Sequence, residues 1–130
     1  MNQATEAELE EISNEAQSLV NVFWEEVKSK RESNEFSGSL GLRVRRIRNS
    51  IQIVWYENKW YGTGNKKRMF SKQIQKGKGY MYSPDKFKKM QQWERDAVGV
   101  LEEKFGQLRK RIEVLGRIRR QVSAYKQIKN

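Results

Sequence analysis

From about Thr5 to Arg31 apolar residues return at steps of three and four: Leu9, Ile12, Ala16, Leu19, Phe23 and Val27. A helical residue turns by about 100°, so this spacing gathers them on one face, which Val20 and Trp24 widen. The pattern predicts an amphipathic helix whose stripe faces a core. Further on the period shortens to two. Leu42 and Val44, then Ile51, Ile53 and Trp55, alternate with Arg43, Arg45, Gln52, Val54 and Tyr56, as in strands with one buried face. Arg48-Asn49-Ser50 predicts the turn of an antiparallel hairpin, Glu57-Asn58-Lys59 a second turn leading to Trp60 and Tyr61, and Gly62-Thr63-Gly64-Asn65 a loop. Lys66 to Ile74 and Gly79 to Tyr82 read as further short strands around Gln75-Lys76-Gly77-Lys78.

Ser83-Pro84-Asp85 has the chemistry of a helix start. Serine suits the cap, proline the first turn where its missing N–H costs nothing, and an acid the positive end of the dipole. Phe87, Met90 and Trp93 follow, a bend is expected near Gly99, and then Leu101, Phe105, Leu108, Ile112, Leu115, Ile118, Val122 and Tyr125 form a long stripe. A strict heptad would place a seam residue at Arg119; the drift through Ile118 favours globular packing over an extended coiled coil. The expected architecture is α+β: a small basic antiparallel β-sheet inserted between two long amphipathic helices that pack together. Residues 1–130 make one domain by length.

Charge divides the chain in the same places. Residues 1–36 carry nine Glu against Lys28, Lys30 and Arg31; residues 37–83 carry eleven Lys and Arg against Glu57 alone; residues 84–130 carry thirteen basic and six acidic side chains. The net +11 therefore resides almost entirely in the sheet block, because the acidic first helix and the basic last block nearly cancel. A surface so charged repels itself, a cost that solubility does not require, and it points to a polyanionic partner. Double-stranded DNA comes first. Arg43, Arg45, Arg46 and Arg48 lie on or beside the first hairpin, Lys59 and Trp60 near the next, and Lys66, Lys67, Arg68, Lys72, Lys76 and Lys78 follow. Guanidinium forks suit phosphate oxygens and guanine edges, and lysine suits phosphate as a point charge. Trp60, Tyr61, Tyr80 and Tyr82 are candidates for stacking on bases.

Other chemistries are poorly served. With no Cys and no His there is no disulfide framework, thiol nucleophile, Ser-His triad or His-based metal site. Gly62-Thr63-Gly64-Asn65-Lys66-Lys67 lacks the GxxxxGK[ST] spacing of a phosphate-binding loop. Glu94, Asp96, Glu102 and Glu103 are spaced as on a solvated helix face, not as a metal-binding carboxylate cluster. We expect no enzyme activity, cofactor or metal. Apolar runs are too short for a membrane span, and Met1 to Glu15 is acidic without an apolar segment, so neither membrane nor secretory leader is expected and the cytoplasm is the expected location.

Ala16-Gln17-Ser18-Leu19-Val20 to Phe23-Trp24, then Leu42-Arg43-Val44-Arg45, Ile53-Val54-Trp55-Tyr56, Trp93-Glu94, and Phe105 with Arg109-Lys110 together resemble the MobI-like conjugative transfer proteins of mobile plasmids and integrative elements, over about residues 12–126. The resemblance implies an auxiliary factor that acts with a separate relaxase at the origin of transfer to start DNA transfer; it brings no catalytic motif. A relaxase, other transfer proteins and a second copy of the chain are the candidate protein partners. Composition alone also accommodates a DNA-binding transcriptional regulator of a mobile element, an RNA-binding domain or a protein adaptor.

Overall fold

A computed structural model describes residues 3–35 and 38–130. Helix α1 spans Gln3–Glu32, strands β1, β2 and β3 span Leu40–Ile47, Ser50–Tyr61 and Arg68–Gln73, and helix α2 spans Gln92–Lys129. The sheet is antiparallel in the order β1-β2-β3. The α+β arrangement read from periodicity is the one observed. The boundary expected between residues 36 and 37 lies outside the described residues.

The helices run antiparallel. Phe23 of α1 stacks on Trp93 near the start of α2, whereas Arg111, further along α2, reaches Glu15 at 3.2 Å and Glu8 at 3.9 Å near the start of α1. Both lie against one face of the sheet. Leu9, Ile12, Ala16, Phe23 and Val27 of α1 meet Leu40, Leu42, Ile51, Ile53 and Trp55 of the hairpin and Val98, Leu101, Phe105 and Leu108 of α2 in one apolar core. Trp55 is its centre, fully buried, with Phe23 and Phe87 edge-on at 5.2 and 5.8 Å. The hairpin turns at Arg48, which takes φ +51° between the paired Ile47 and Ser50.

One ion pair sits inside this core. Glu102 is 1% exposed, and Arg109, one to two turns along α2, grips it with two nitrogens at 2.8 and 3.1 Å. The carboxylate also accepts from the Trp55 indole N–H at 2.8 Å and the Tyr82 amide at 2.6 Å. Arg109 donates onward to the Tyr80 and Ile53 carbonyls at 2.7 and 3.1 Å, its guanidinium lying 5.1 Å from the Tyr82 ring centre. A second buried acid, Glu94, closes the first turn of α2 by accepting from the Gln91 amide at 2.9 Å and ties down the start of β1 through the Ser39 and Leu40 amides, each at 3.1 Å. Gly38, at φ +82°, admits that carboxylate: a Cβ there would collide with it.

Because Asn58 donates to the Ser39 carbonyl, ladder alternation turns the main-chain groups of Leu40 and Leu42 away from β2, toward the outer edge of β1. Side chains of both helices cap that edge. Glu94 takes the Leu40 amide, and the Trp24 indole donates to the Leu42 carbonyl at 2.9 Å.

Several local expectations are overturned. Glu57-Asn58-Lys59 is not a turn: β2 runs through it to Tyr61 because β3 returns alongside, pairing Glu57 with Lys72 and Asn58 with Ser71. Gly79 to Tyr82 is not a strand, its backbone groups being bound by Arg109 and Glu102 side chains instead of a neighbouring strand. Ser83-Pro84-Asp85 starts only a single 3₁₀ turn at Pro84–Lys86, with no capping bond from the serine side chain; α2 begins at Gln92, where Glu94 supplies the cap. The helix then passes Gly99 unbroken, since an exposed glycine costs about 1 kcal/mol and adjoining packing outweighs it. Glu94 and Glu102 are buried anchors, not members of a solvated face.

Glu102→Ala should remove about 3–5 kcal/mol of stability, because it strands the Arg109 charge and the Trp55 N–H without a partner. Arg111→Ala, at the exposed bridge to Glu8 and Glu15, should cost no more than about 1 kcal/mol. Urea unfolding compares the two. Equal small losses would show that the buried pair does not hold the core.

Candidate nucleic-acid interface

Only part of the sheet lies under the helices. Beyond Glu57 and Lys72, strands β2 and β3 continue as a two-stranded ribbon, and every residue from Trp60 to Gln73 is exposed. The loop at its end reverses through Gly62 at φ +93° and a 3₁₀ turn at Gly64–Lys66, as the loop-forming residues there lead one to expect. Trp60 is 66% exposed; Tyr61, Met69 and Phe70 are each at least half exposed. Isolated hydrophobic side chains on a surface are ordinary, but four at the end of one ribbon, paired two to a face, call for a partner.

The register sorts the ribbon into two unlike faces. Asn58, Trp60, Met69 and Ser71 lie on the face turned away from the helices, continuous with Arg43, Arg45, Gln52 and Tyr56; Lys59, Tyr61, Arg68, Phe70 and Lys72 lie on the other. On the first, the Arg43 guanidinium sits 5.5 Å from the Tyr56 ring centre, and Arg45 donates to Gln52 at 2.9 Å. The Tyr56 ring packs over Gly41, where a Cβ would collide with it. On the second, Tyr61 and Phe70 meet edge to face at 5.4 Å.

The sequence-derived candidates thus occupy different settings. Arg43 and Arg45 stand on the open face, Arg48 is exposed at the hairpin turn, and Lys59, Trp60, Lys66, Lys67, Arg68 and Lys72 belong to the ribbon and its loop. Arg46 faces α1, with Glu6 at 2.7 Å and Glu10 at 3.8 Å. Lys76 folds back onto the carbonyls of Gly77 and Gly79. Burial first, then the neighbouring Arg109 charge, holds its ammonium below the usual lysine range, with Glu102 opposing. Lys78 is exposed in the loop after β3. Tyr82 is no stacking platform: it is buried, donates to the Ile74 carbonyl at 3.1 Å, and burial pushes its phenol up. Tyr80 is half-buried and donates to Glu113 at 2.9 Å, an interaction that raises its pKa.

Met69 and Phe70 are ribbon residues that sequence reading passed over. Their signal is the placing of large apolar residues at both parities of one strand pair, which no single buried face can absorb. Among the described residues no group of acidic side chains is arranged to hold a metal ion, and no helix is long and apolar enough to cross a membrane.

A protein-family model described as MobI protein matches residues 12–123. The chain belongs to the MobI family. Membership makes it a mobilisation accessory protein, involved with the machinery of conjugative transfer. No curated protein and no solved structure matches it. In this MobI chain Trp55 is sealed in the core and Trp24 and Trp93 are partly buried, which leaves Trp60 as the indole most open to solvent. Trp60→Phe should therefore remove most of the acrylamide-quenchable tryptophan emission while leaving stability within about 0.5 kcal/mol. Undiminished quenching would place Trp60 in a packed setting instead.

Proposed function

We propose that this MobI protein is a non-enzymatic DNA-binding factor that docks on duplex DNA at the origin of transfer, in the cytoplasm, and assists a separate relaxase in starting transfer. The observation that carries the reading is the exposed ribbon, with Lys59, Lys66, Lys67, Arg68 and Lys72 on its strands and loop. The major groove of duplex DNA, about 12 Å wide, admits a two-stranded ribbon. Arg43, Arg45 and Arg48 extend the basic surface back along the open face to the far end of β2. That strand has twelve residues, roughly 40 Å at about 3.3 Å each. This is close to one helical turn of DNA, about 34–36 Å, so Arg48 at the hairpin turn is spaced to meet phosphates about one turn from the ribbon's tip, with Arg43 and Arg45 between them. Arg46 and Lys76 serve the fold in this reading, their charged groups being already engaged.

If about six phosphates are neutralised, log K for duplex DNA should fall by roughly five per unit of log salt. Replacing Arg43, Arg45 and Arg48 together by Ala should weaken binding at fixed salt and flatten that slope by about two to three, with an unchanged circular dichroism spectrum. Fluorescence anisotropy on a labelled duplex from the source element's transfer origin measures both. A slope near zero, or unaltered affinity of the triple variant, would dismiss the docking surface.

A further inference from the structure

A ribbon laid in a groove turns one face to the bases and leaves the other outside, yet both faces of this ribbon carry exposed apolar side chains. Duplex docking accounts for Trp60, the hairpin arginines and the general basic charge of the ribbon. It leaves the rings of the helix-side face, Tyr61 and Phe70, without a task.

That face has a specific pattern. Across the ladder Lys59 stands opposite Phe70 and Tyr61 opposite Arg68, so each aromatic ring is flanked by a cation. Toward the base of the ribbon the same face runs into a cleft of about 200 Å³ lined by Lys59, Lys72, Lys86 and Lys88, with Glu57 as its one acid. Glu57 is 9% exposed, so the cleft offers a ligand mainly its four lysines. Exposed rings leading into a lysine-lined cleft fit a ligand that offers flat π-faces on a polyanionic backbone. A paired base hides its faces in the stack, and exposing one costs a few kcal/mol, whereas an unpaired base offers them freely.

We infer that the helix-side face of the ribbon binds an unpaired stretch of DNA strand, on the order of four nucleotides, with bases stacked on Tyr61 and Phe70 and phosphates led past Arg68 into the cleft of Lys59, Lys72, Lys86 and Lys88. The inference rests on the DNA-binding reading above and deepens it. One ribbon then meets two forms of DNA, duplex on its open face and an unpaired strand on the other, which suits a boundary between paired and melted segments. Lys86 and Lys88, in the segment before α2, join the site through the cleft.

The test uses the full chain and fluorescence anisotropy at one salt concentration, with a fully paired 30-mer, the same 30-mer carrying a central six-nucleotide mismatch bubble, and single-stranded DNA and RNA of matching sequence. The bubble should bind at least about tenfold tighter than the paired duplex. Tyr61→Ala and Phe70→Ala should each weaken bubble binding by roughly five- to a hundredfold and leave paired-duplex affinity within about twofold. Tyr61→Phe should retain the preference, and Lys86→Gln with Lys88→Gln should lower the salt slope for the bubble alone. All are solvent-facing replacements, and thermal melting checks that each variant is folded. Equal affinity for bubble and paired duplex overturns this inference and leaves the duplex reading standing, as does an equal loss on both DNAs in the alanine variants. Tighter binding of RNA than of single-stranded DNA overturns the assignment to DNA. Binding of no DNA at all overturns both readings.

Discussion

Burying a carboxylate and a guanidinium costs several kcal/mol per ion, and the cost is met here because both carboxylate oxygens and both terminal guanidinium nitrogens are engaged. Glu102 and Arg109 engage each other twice, and their remaining capacity goes to the Trp55 indole, the Tyr82 amide and the Ile53 and Tyr80 carbonyls. Three pieces of chain remote in sequence are joined at that point: the middle of β2, the irregular segment before α2, and α2 itself. A core of this size gets direction from such a joint, since apolar contacts alone do not specify which way Trp55 faces or where residues 79–82 lie. Glu94 repeats the device at the start of α2, where one carboxylate caps the helix and holds the first amides of β1.

The two anchors set the limits within which the exposed surface is arranged. They hold the covered portion of the sheet rigidly against the helices, and the ribbon extends from that portion without further support. Its side chains are therefore presented by strand register alone. Aromatic and basic residues alternate on one side while uncharged ones accompany Trp60 on the other. The acids of α1 have a part in the same division of charge: Glu6 and Glu10 occupy Arg46, and Glu8 and Glu15 occupy Arg111, while among the described residues of the ribbon strands Glu57 alone is acidic.

Much of this was legible from period alone. The stripe from Leu9 to Val27, apart from the partly buried Leu19, and the alternation through Leu42, Ile53 and Trp55 correspond to buried positions, because a core on one side of each element imposes its period on the sequence. The failures share a cause. Glu57-Asn58-Lys59 has turn-forming composition, but pairing with β3 is a non-local interaction that local propensity does not see. Ser83-Pro84-Asp85 has the residues of a cap, but burial of Phe87 draws the chain away before a helix can propagate. Glu94 and Glu102 read as surface residues because nothing in a carboxylate's spacing reveals that Leu40, Trp55 and Tyr82 will bring donors to it. Of the site, the clustering of cations was readable; the division of Arg46 from Arg45, and of Trp60 from Tyr61, required the register.

The treatment of the sheet's two edges bears on assembly. At β1 the outward main-chain groups of Leu40 and Leu42 are taken by Glu94 and Trp24, while at β3 the bond from the Ile74 amide to Trp55 leaves the main chain of Met69, Ser71 and Gln73 directed outward. An incoming strand therefore finds an unblocked ladder beside β3 but meets side chains already seated along the start of β1. Strand addition is thus favoured at β3 over the start of β1, and joining two copies through β3 would use that ladder on both at once.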